Sequence, residues 1–464
     1  MNKCKTAIKV ISFILIVAVI LVSADRVLKV KYVDGIYSMQ RFYELDNDSV
    51  DVLFLGSSHA FETYNTSVLW DEYGIASFVL GGSAQPMWNT YFFMKEALKT
   101  QTPELIVLDA FSCVFEEEYT DYSRQIKNCY GMKPSINKIA AMWESSPHTN
   151  LNFYVPISNY SSRYSELTKE DFLKLQDIPR YENWMGFASN YLHETKETPC
   201  LKETYAEHPM LQKSEKYYRK ILQLANDKKI PILVVVTPYP DITAEQAAIY
   251  KTAERIAGEY NAPFYNPAFD PASIGLDYSI HAAEGQHLNL VGNQIYTSSF
   301  GEYLKTHYLI HDRRGNPEYQ AWEKSSQFIK RMDSVNQMKK LTDFEGLCQK
   351  IKNEQYCAFI VVGQNVAKDS EMLIPFGITE CEPNSLYCFV NGKASVWQYD
   401  TGKVTYQRIY LLFHDDIVRA DRNRLAYEYT ADEKTVKIVV YDKVTDNICD
   451  VFKVSEANPK VVFR

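Results

Sequence analysis

The sequence predicts an α/β protein in which a parallel sheet lies between two helical layers, interrupted by a large insertion. One apolar helix precedes it and a small α+β domain follows. Three observations lead there. Short apolar runs at Val52–Leu55, Ala76–Leu80, Leu105–Leu108 and Ile232–Val236 alternate with amphipathic stretches, the pattern of strands buried on both faces by crossover helices. Roughly a hundred residues inside that alternation, from about Ser112 to Met210, lack its period and are too long for a simple loop. After residue 341 the chain turns strand-rich.

The elements follow in order. Lys3, Lys5 and Lys9 precede Val10–Ala24, which is apolar apart from Ser12 and Ser23 and ends at Asp25 and Arg26. Cations before an apolar run predict a cytoplasmic amino end and an exported remainder. About fifteen residues give only about 22 Å of helix, short of a hydrocarbon core of about 30 Å. Counting from Ala7, with Lys9 snorkelling, brings the helix close to a full span. Val22-Ser23-Ala24 also fits a cleavage site. A retained signal anchor over residues 1–26 is the preferred reading, and in either case the body of the protein works outside the cytoplasmic membrane.

Residues 27–310 form the main domain. Its helices are expected at Pro86–Lys99, Ser214–Asn226, Ala244–Tyr260 and Leu290–Leu304, with a short fifth strand at Pro263–Tyr265. The insertion, about 112–210, is rich in aromatic and polar groups, among them Tyr119, Trp143, His148, Tyr154, Trp184 and Tyr191. It reads as a cap that selects substrate. A charged, helix-prone connector covers 311–341. Residues 342–464 read as an accessory domain. Its helix spans Phe344–Lys352, and its strands are expected at 358–362, 386–390, 395–398, 409–413, 425–429 and 436–441. Asn391-Gly392 supplies a hairpin turn between the second and third of them.

Composition excludes several classes. Apolar residues make up 46% and charged residues 23% of the 464, globular values. The net charge of −8 and the lack of a clustered basic array argue against a nucleic-acid surface. The 34 tyrosines suit half-buried packing more readily than a ligand surface. Of nine cysteines, eight lie beyond the anchor and no Cys-x-x-Cys pair occurs, which weakens zinc and redox readings and leaves isolated buried thiols. Eight cysteines allow 105 pairings, so sequence does not choose among them.

Two motifs carry chemistry. Gly56-Ser57-Ser58-His59 directly follows the first strand, and Glu284-Gly285-Gln286-His287-Leu288-Asn289 directly precedes the last helix. A hydroxyl becomes a nucleophile when an imidazole takes its proton and a carboxylate fixes that imidazole's tautomer. This pattern makes Ser58 the candidate nucleophile, His287 the base and Glu284 the orienting acid. Beside them, His59 fits a donor into the site as well as a helix cap, Asp277 and His281 offer a competing acid–base pair but better fit a surface loop, and Tyr239 better fits packing than substrate contact. His148 and Arg163 offer charge to an anionic polymer.

With these residues, the first 310 positions resemble the SGNH (GDSL-like) hydrolase superfamily. They are most similar to its membrane-anchored cell-surface branch, which includes teichoic acid D-alanine-transfer and polysaccharide O-acetylation proteins. The resemblance implies a flavodoxin-like three-layer fold, with the Gly-Ser-Ser block on Gly56–Ser58. The late acid-x-x-His-Leu-Asn-x-x-Gly block falls on Glu284, His287, Leu288, Asn289 and Gly292. It also implies an oxyanion hole from backbone N–H groups of Ser58 and Ala84, or of Gly82 in a shifted register. The chain departs from the family at three places. Glu284 stands where aspartate is usual. Ala84 stands where glycine is usual, which a negative φ would tolerate. Asp109 stands where an asparagine donor is usual, and an ionised aspartate cannot donate.

The implied activity is that of a membrane-tethered serine esterase or O-acyltransferase acting on acyl esters of cell-envelope polysaccharide. No cofactor or metal is implied. A membrane-bound O-acyltransferase partner is implied by the resemblance alone. The alternative is a catalytically degenerate scaffold that binds polysaccharide or partner proteins.

Overall fold

The computed structural model describes residues 2–29, 34–155, 159–167, 169–173, 185–199, 201, 205–353, 355–383, 385–396, 403–406, 409–414, 417–422, 425–430, 434–443 and 447–463. Trp184, Cys200, Trp397 and Gln398 lie outside them. The chain forms two compact units, Met1–Gln327 and Phe328–Arg464.

The first unit begins with α1 (Asn2–Leu28). Its stretch Lys5–Leu28 has 24 residues and a mean hydropathy of 2.8, so it is about 36 Å long at 1.5 Å per residue, long and apolar enough to cross a bilayer. Its apolar stretch is widely exposed: Phe13 and Val19 are 68% and 65% exposed.

Next come α2 (Asp34–Phe42), β1 (Val52–Gly56), α3 (Ser58–Phe61), α4 (Thr66–Tyr73), β2 (Ser77–Gly81), α5 (Met87–Ala97) and β3 (Leu105–Asp109). The insertion supplies α6 (Tyr122–Lys127), α7 (Ile136–Ser145) and α8 (Lys169–Phe172). The sheet resumes through α9 (Gln212–Lys228), β4 (Ile232–Val235), α10 (Ala244–Glu259) and β5 (Phe264–Tyr265). It closes with α11 (Tyr278–His281), the short pair β6 (Ala282–Ala283) and β7 (His287–Leu288), and α12 (Leu290–His307). A further helix, α13, runs from Gln320 to Lys339.

The five main strands are parallel, in the order β2-β1-β3-β4-β5. Side chains alternate along each strand, so β1 feeds two cores. Leu53 and Leu55 pack with Trp88, Phe93, Tyr218 and Ile256 on the side of α5, α9 and α10. Val52 and Phe54 pack with Leu69, Tyr296 and Phe300 on the side of α4 and α12. Helices therefore cover both faces, and tyrosines such as Tyr64, Tyr218, Tyr250 and Tyr296 serve as core filler.

The insertion divides. Its first part lies on α5, where Asn137 donates to the Phe92 carbonyl at 3.0 Å and Asn89 to Ser145 Oγ at 2.9 Å. Its last part, 185–199, threads along the domain beside α3 and α11. The Val79 N–H donates to the Met185 carbonyl at 2.9 Å, Ala188 N–H to Phe61 at 2.9 Å and Lys196 N–H to Tyr278 at 3.1 Å. Gly186 has φ 79°, and a Cβ there would lie 1.8 Å from the Val79 carbonyl oxygen.

Among the described residues, the second unit holds α14 (Phe344–Ile351) and ten strands. They are β8 (Tyr356–Val362), β9 (Leu386–Val390), β10 (Lys393–Val396), β11 (Lys403–Tyr406), β12 (Ile409–His414), β13 (Ile417–Arg422), β14 (Leu425–Thr430), β15 (Thr435–Asp442), β16 (Asn447–Ser455) and β17 (Asn458–Phe463). One antiparallel sheet runs β10-β9-β8-β15-β16-β17, and a meander runs β11-β12-β13-β14. Asn391 and Gly392 have φ of 51° and 77°, the paired positive values of a type I′ hairpin turn. Seven described cysteines, from Cys113 to Cys449, are buried.

Candidate active site

β1, between β2 and β3, is the strand from which the sheet winds in both directions, and ligands of such sheets bind outside the carboxyl ends of the strands at that switch point. Ser58 stands there. Ser57 closes β1 and caps α3, its side chain accepting from the His59 N–H at 3.4 Å, so Ser58 opens a single helical turn and is half-buried. Gly56 is needed beneath it, because a Cβ would lie 2.7 Å from Asp109 Cβ.

The late motif is a tight hairpin. Ala283 pairs with His287 across β6 and β7, and Gly285 and Gln286 have φ of 73° and 66°, again both positive. Asn289 then caps α12, accepting from the Gly292 N–H at 3.0 Å and donating to the Ile280 and Ala282 carbonyls at 2.8 and 3.2 Å. Gly292 fits because a Cβ would meet the His281 carbonyl oxygen at 2.6 Å. The acid-x-x-His-Leu-Asn-x-x-Gly spacing is thus one hairpin fastened to one capped helix.

This hairpin sets His287 Nε2 2.9 Å from Ser58 Oγ. Its Nδ1 lies 3.0 Å from the main-chain carbonyl oxygen of Glu284. A carbonyl oxygen only accepts, so Nδ1 carries the hydrogen and Nε2 keeps its lone pair for the Ser58 proton. The Glu284 carboxylate, expected to orient His287, is exposed instead. Its backbone, held by the turn, faces the ring. The carboxylate near the imidazole belongs to Glu62, whose Oε2 is 3.8 Å from Nδ1. Glu62 is held by Asn190 Nδ2 at 2.9 Å, from the returning insertion. Burial raises the Glu62 carboxyl above its ordinary range, against the opposing pull of His287 and Asn190.

The turn after β2 adjoins the same strand ends, Gly81 pairing with Gly56. Gln85 N–H donates to the Gly82 carbonyl at 3.1 Å. Ala84 has φ 45°, not the negative value under which alanine is tolerated, so it takes a left-handed conformation that glycine usually fills. Gly82 packs closely, a Cβ there lying 2.3 Å from Asn128 Oδ1. Asp34 fastens the turn, accepting from Ser83 N–H at 3.1 Å and Ser83 Oγ at 2.6 Å, while Lys127 pairs with it at 3.1 Å. Burial pushes the Asp34 carboxyl up, but the Ser83 and Gly35 donors and Lys127 outweigh it and hold it below the usual range.

Other suspected residues fall into structural roles. His59 stacks on Phe111 at 3.5 Å and stands edge-on to Tyr239 at 4.8 Å. Burial, then the nearby His287, drives its pKa well down, so it stays neutral. Tyr239 is buried, its hydroxyl 2.8 Å from that of Tyr250. Asp277 caps α11 through Ser279 N–H at 2.9 Å, and His281 Nδ1 accepts from Asp277 N–H at 3.0 Å. Arg163, a minor candidate for an anionic polymer, is held by Asp171 at 2.9 Å and by the Leu28 carbonyl. Asp109 is fully buried, and burial lifts its pKa to about 7. Thr237 and the Phe111 N–H lie near enough to favour the anion, yet neither carboxylate oxygen reaches hydrogen-bonding geometry.

Glu62, Asn190 and Asp34 escape a motif-based reading. Glu62 does have a signal: it follows Ser58 by four residues, and i, i+4 side chains share a helical face.

No family model matches the chain, and no curated protein matches it. Among solved structures, a Bacteroides fragilis protein provisionally described as an acylhydrolase aligns at 11% identity with a TM-score of 0.30, covering 57% of this chain and 93% of its own. A Lactobacillus plantarum protein aligns at 10% identity with a TM-score of 0.29, covering 56% and 99%. At these scores neither likeness bears on the chemistry of the site.

Proposed function

We propose that this chain is a serine esterase or O-acyltransferase working through an acyl-serine intermediate. The observation that carries the reading is the 2.9 Å contact between Ser58 Oγ and His287 Nε2 at the switch point of the sheet. Ser58 Oγ attacks the acyl carbonyl carbon as its proton passes to His287 Nε2. The tetrahedral oxyanion is assigned to the backbone N–H groups of Ser58 and of the turn at Gly82–Ala84, donors that such steps need at fixed positions. His287 then protonates the leaving alkoxide, and an acyl ester on Ser58 remains. Water or a sugar hydroxyl, deprotonated by His287, releases the acyl group and restores Ser58. Hydrolysis and transfer differ only in that acceptor. Glu62 stabilises the imidazolium formed twice per cycle.

The finer assignment is an envelope polysaccharide as acyl carrier, reached from a bilayer by α1, with a membrane-bound O-acyltransferase as acyl source. It rests on the long apolar helix and on the motif resemblance. The test is turnover of an activated acetyl ester by the full-length chain. The wild type is expected to hydrolyse it, and Ser58→Ala and His287→Ala to lose at least about 10³-fold in kcat. Equal rates in all three would remove the reading and leave a binding scaffold.

A further inference from the structure

A second surface, away from Ser58, has its own chemistry. On α7, Ile136, Ile139 and Trp143 are 87%, 65% and 53% exposed. Their spacing of three and four residues places them on one helical face, while Ala141, Met142 and Ser145 on the other face are buried. Leu151 and Val155 follow at 74% and 52% exposure. Trp143 stacks on His148 at 3.6 Å with Tyr154 beside it at 6.2 Å. Contiguous exposed apolar groups of this kind mark contact with a partner or a membrane.

The surroundings select the occupant. A cavity of about 350 Å³ joins this region to α1, with Leu21 and Val22 facing Ile139, Met142 and Val155. An adjoining cavity of about 600 Å³ shares Val22, Pro134 and Lys138, and its cations are Arg26, Lys29, Lys133 and Lys138 against Asp25 and Glu44. Leu21 is seven residues before the end of α1, about 10 Å at 1.5 Å per residue. In-plane helices sink about 5–10 Å into the headgroup boundary. With α1 in a bilayer, α7 therefore sits at interfacial depth. Trp and Tyr rings favour that layer, and the cations match lipid phosphates.

We infer that α7 lies in the plane of the extracytoplasmic leaflet, its Ile136–Ile139–Trp143 edge in lipid and the lysine- and arginine-lined cavity facing the phosphates. The seat holds the unit against the bilayer. It rests on α1 spanning the membrane and is independent of the chemistry at Ser58.

The test uses the full-length chain in phosphatidylglycerol–phosphatidylcholine vesicles, with and without bromine on the acyl chains. Brominated lipid is expected to quench tryptophan emission, and Trp143→Phe is expected to lose at least half of the quenched signal. Ile139→Glu, which changes an exposed position, is expected to reduce the Trp143 contribution in the same way. A chain that floats with the vesicles but shows equal quenching with and without Trp143 would overturn the seat while sparing the α1 span. Failure to float would overturn both. Trp143 shielded only in native membranes would assign the face to a membrane protein and also overturn the proposal.

Discussion

At the residue scale, the site separates two jobs that one carboxylate usually performs. The Glu284 carbonyl fixes the His287 tautomer, and Glu62 supplies the negative charge. Glu62→Gln should therefore lower kcat by about 10–100-fold, the loss of a charge interaction of roughly 1.4–2.7 kcal/mol, without abolishing turnover. Glu284→Gln should change kcat less than about twofold, because its carboxylate is exposed and its carbonyl remains. The reverse ranking in steady-state assays would return the acid role to Glu284. The acid-x-x-His spacing made Glu284 legible, but spacing does not reveal whether a side chain or its backbone meets the ring. Asp109 carries a separate prediction. Its folded pKa of about 7 exceeds the ordinary 3.8, so the native state holds a proton that the unfolded state has lost between those values. Stability then falls as pH rises from about 4 to about 7, by on the order of 4 kcal/mol. Asp109→Asn, of the same shape and uncharged, should be more stable than wild type at about pH 8 and lose that advantage near pH 4. Urea midpoints with the same pH slope in both proteins would refute this.

At the element scale, strand β1 and helices α5, α9, α10 and α12 were legible because buried apolar runs and helical periodicity report burial directly. The hairpin β6–β7 was not, since strands of two residues have no period and Gly285-Gln286 is not a common turn pair. Segment 185–199 was equally hidden, because its backbone bonds to the domain depend on Met185 and Ala188 amide positions and not on side-chain type. Gly186 is its tightest point. Gly186→Ala would force a Cβ into the Val79 carbonyl oxygen, and should cost at least about 2 kcal/mol. It should also lower kcat more than KM rises, by shifting Asn190 from Glu62. A stable Gly186→Ala variant with wild-type kinetics would show that the segment does not position the site.

At the scale of the whole molecule, a five-stranded parallel sheet in the order β2-β1-β3-β4-β5 gathers the ends of β1 and β2 and the hairpin before α12 at one edge. Residues far apart in sequence meet there because the crossovers diverge on either side of β1. In the second unit, β11, β13, β16 and β17 were missed. Ile417–Arg422 and Asn447–Ser455 interleave charged or polar groups with apolar ones, which reads as loop until a neighbouring strand supplies the pairing. Two units are also a claim about unfolding: heating should give two transitions, with Ser58→Ala leaving both in place.

The most direct measurement is fluorophosphonate labelling of the full-length chain followed by peptide mapping. One adduct is expected, on the peptide containing Ser58, and it should be lost in His287→Ala. Labelling at another residue, or labelling of Ser58 that is indifferent to His287, would contradict the mechanism.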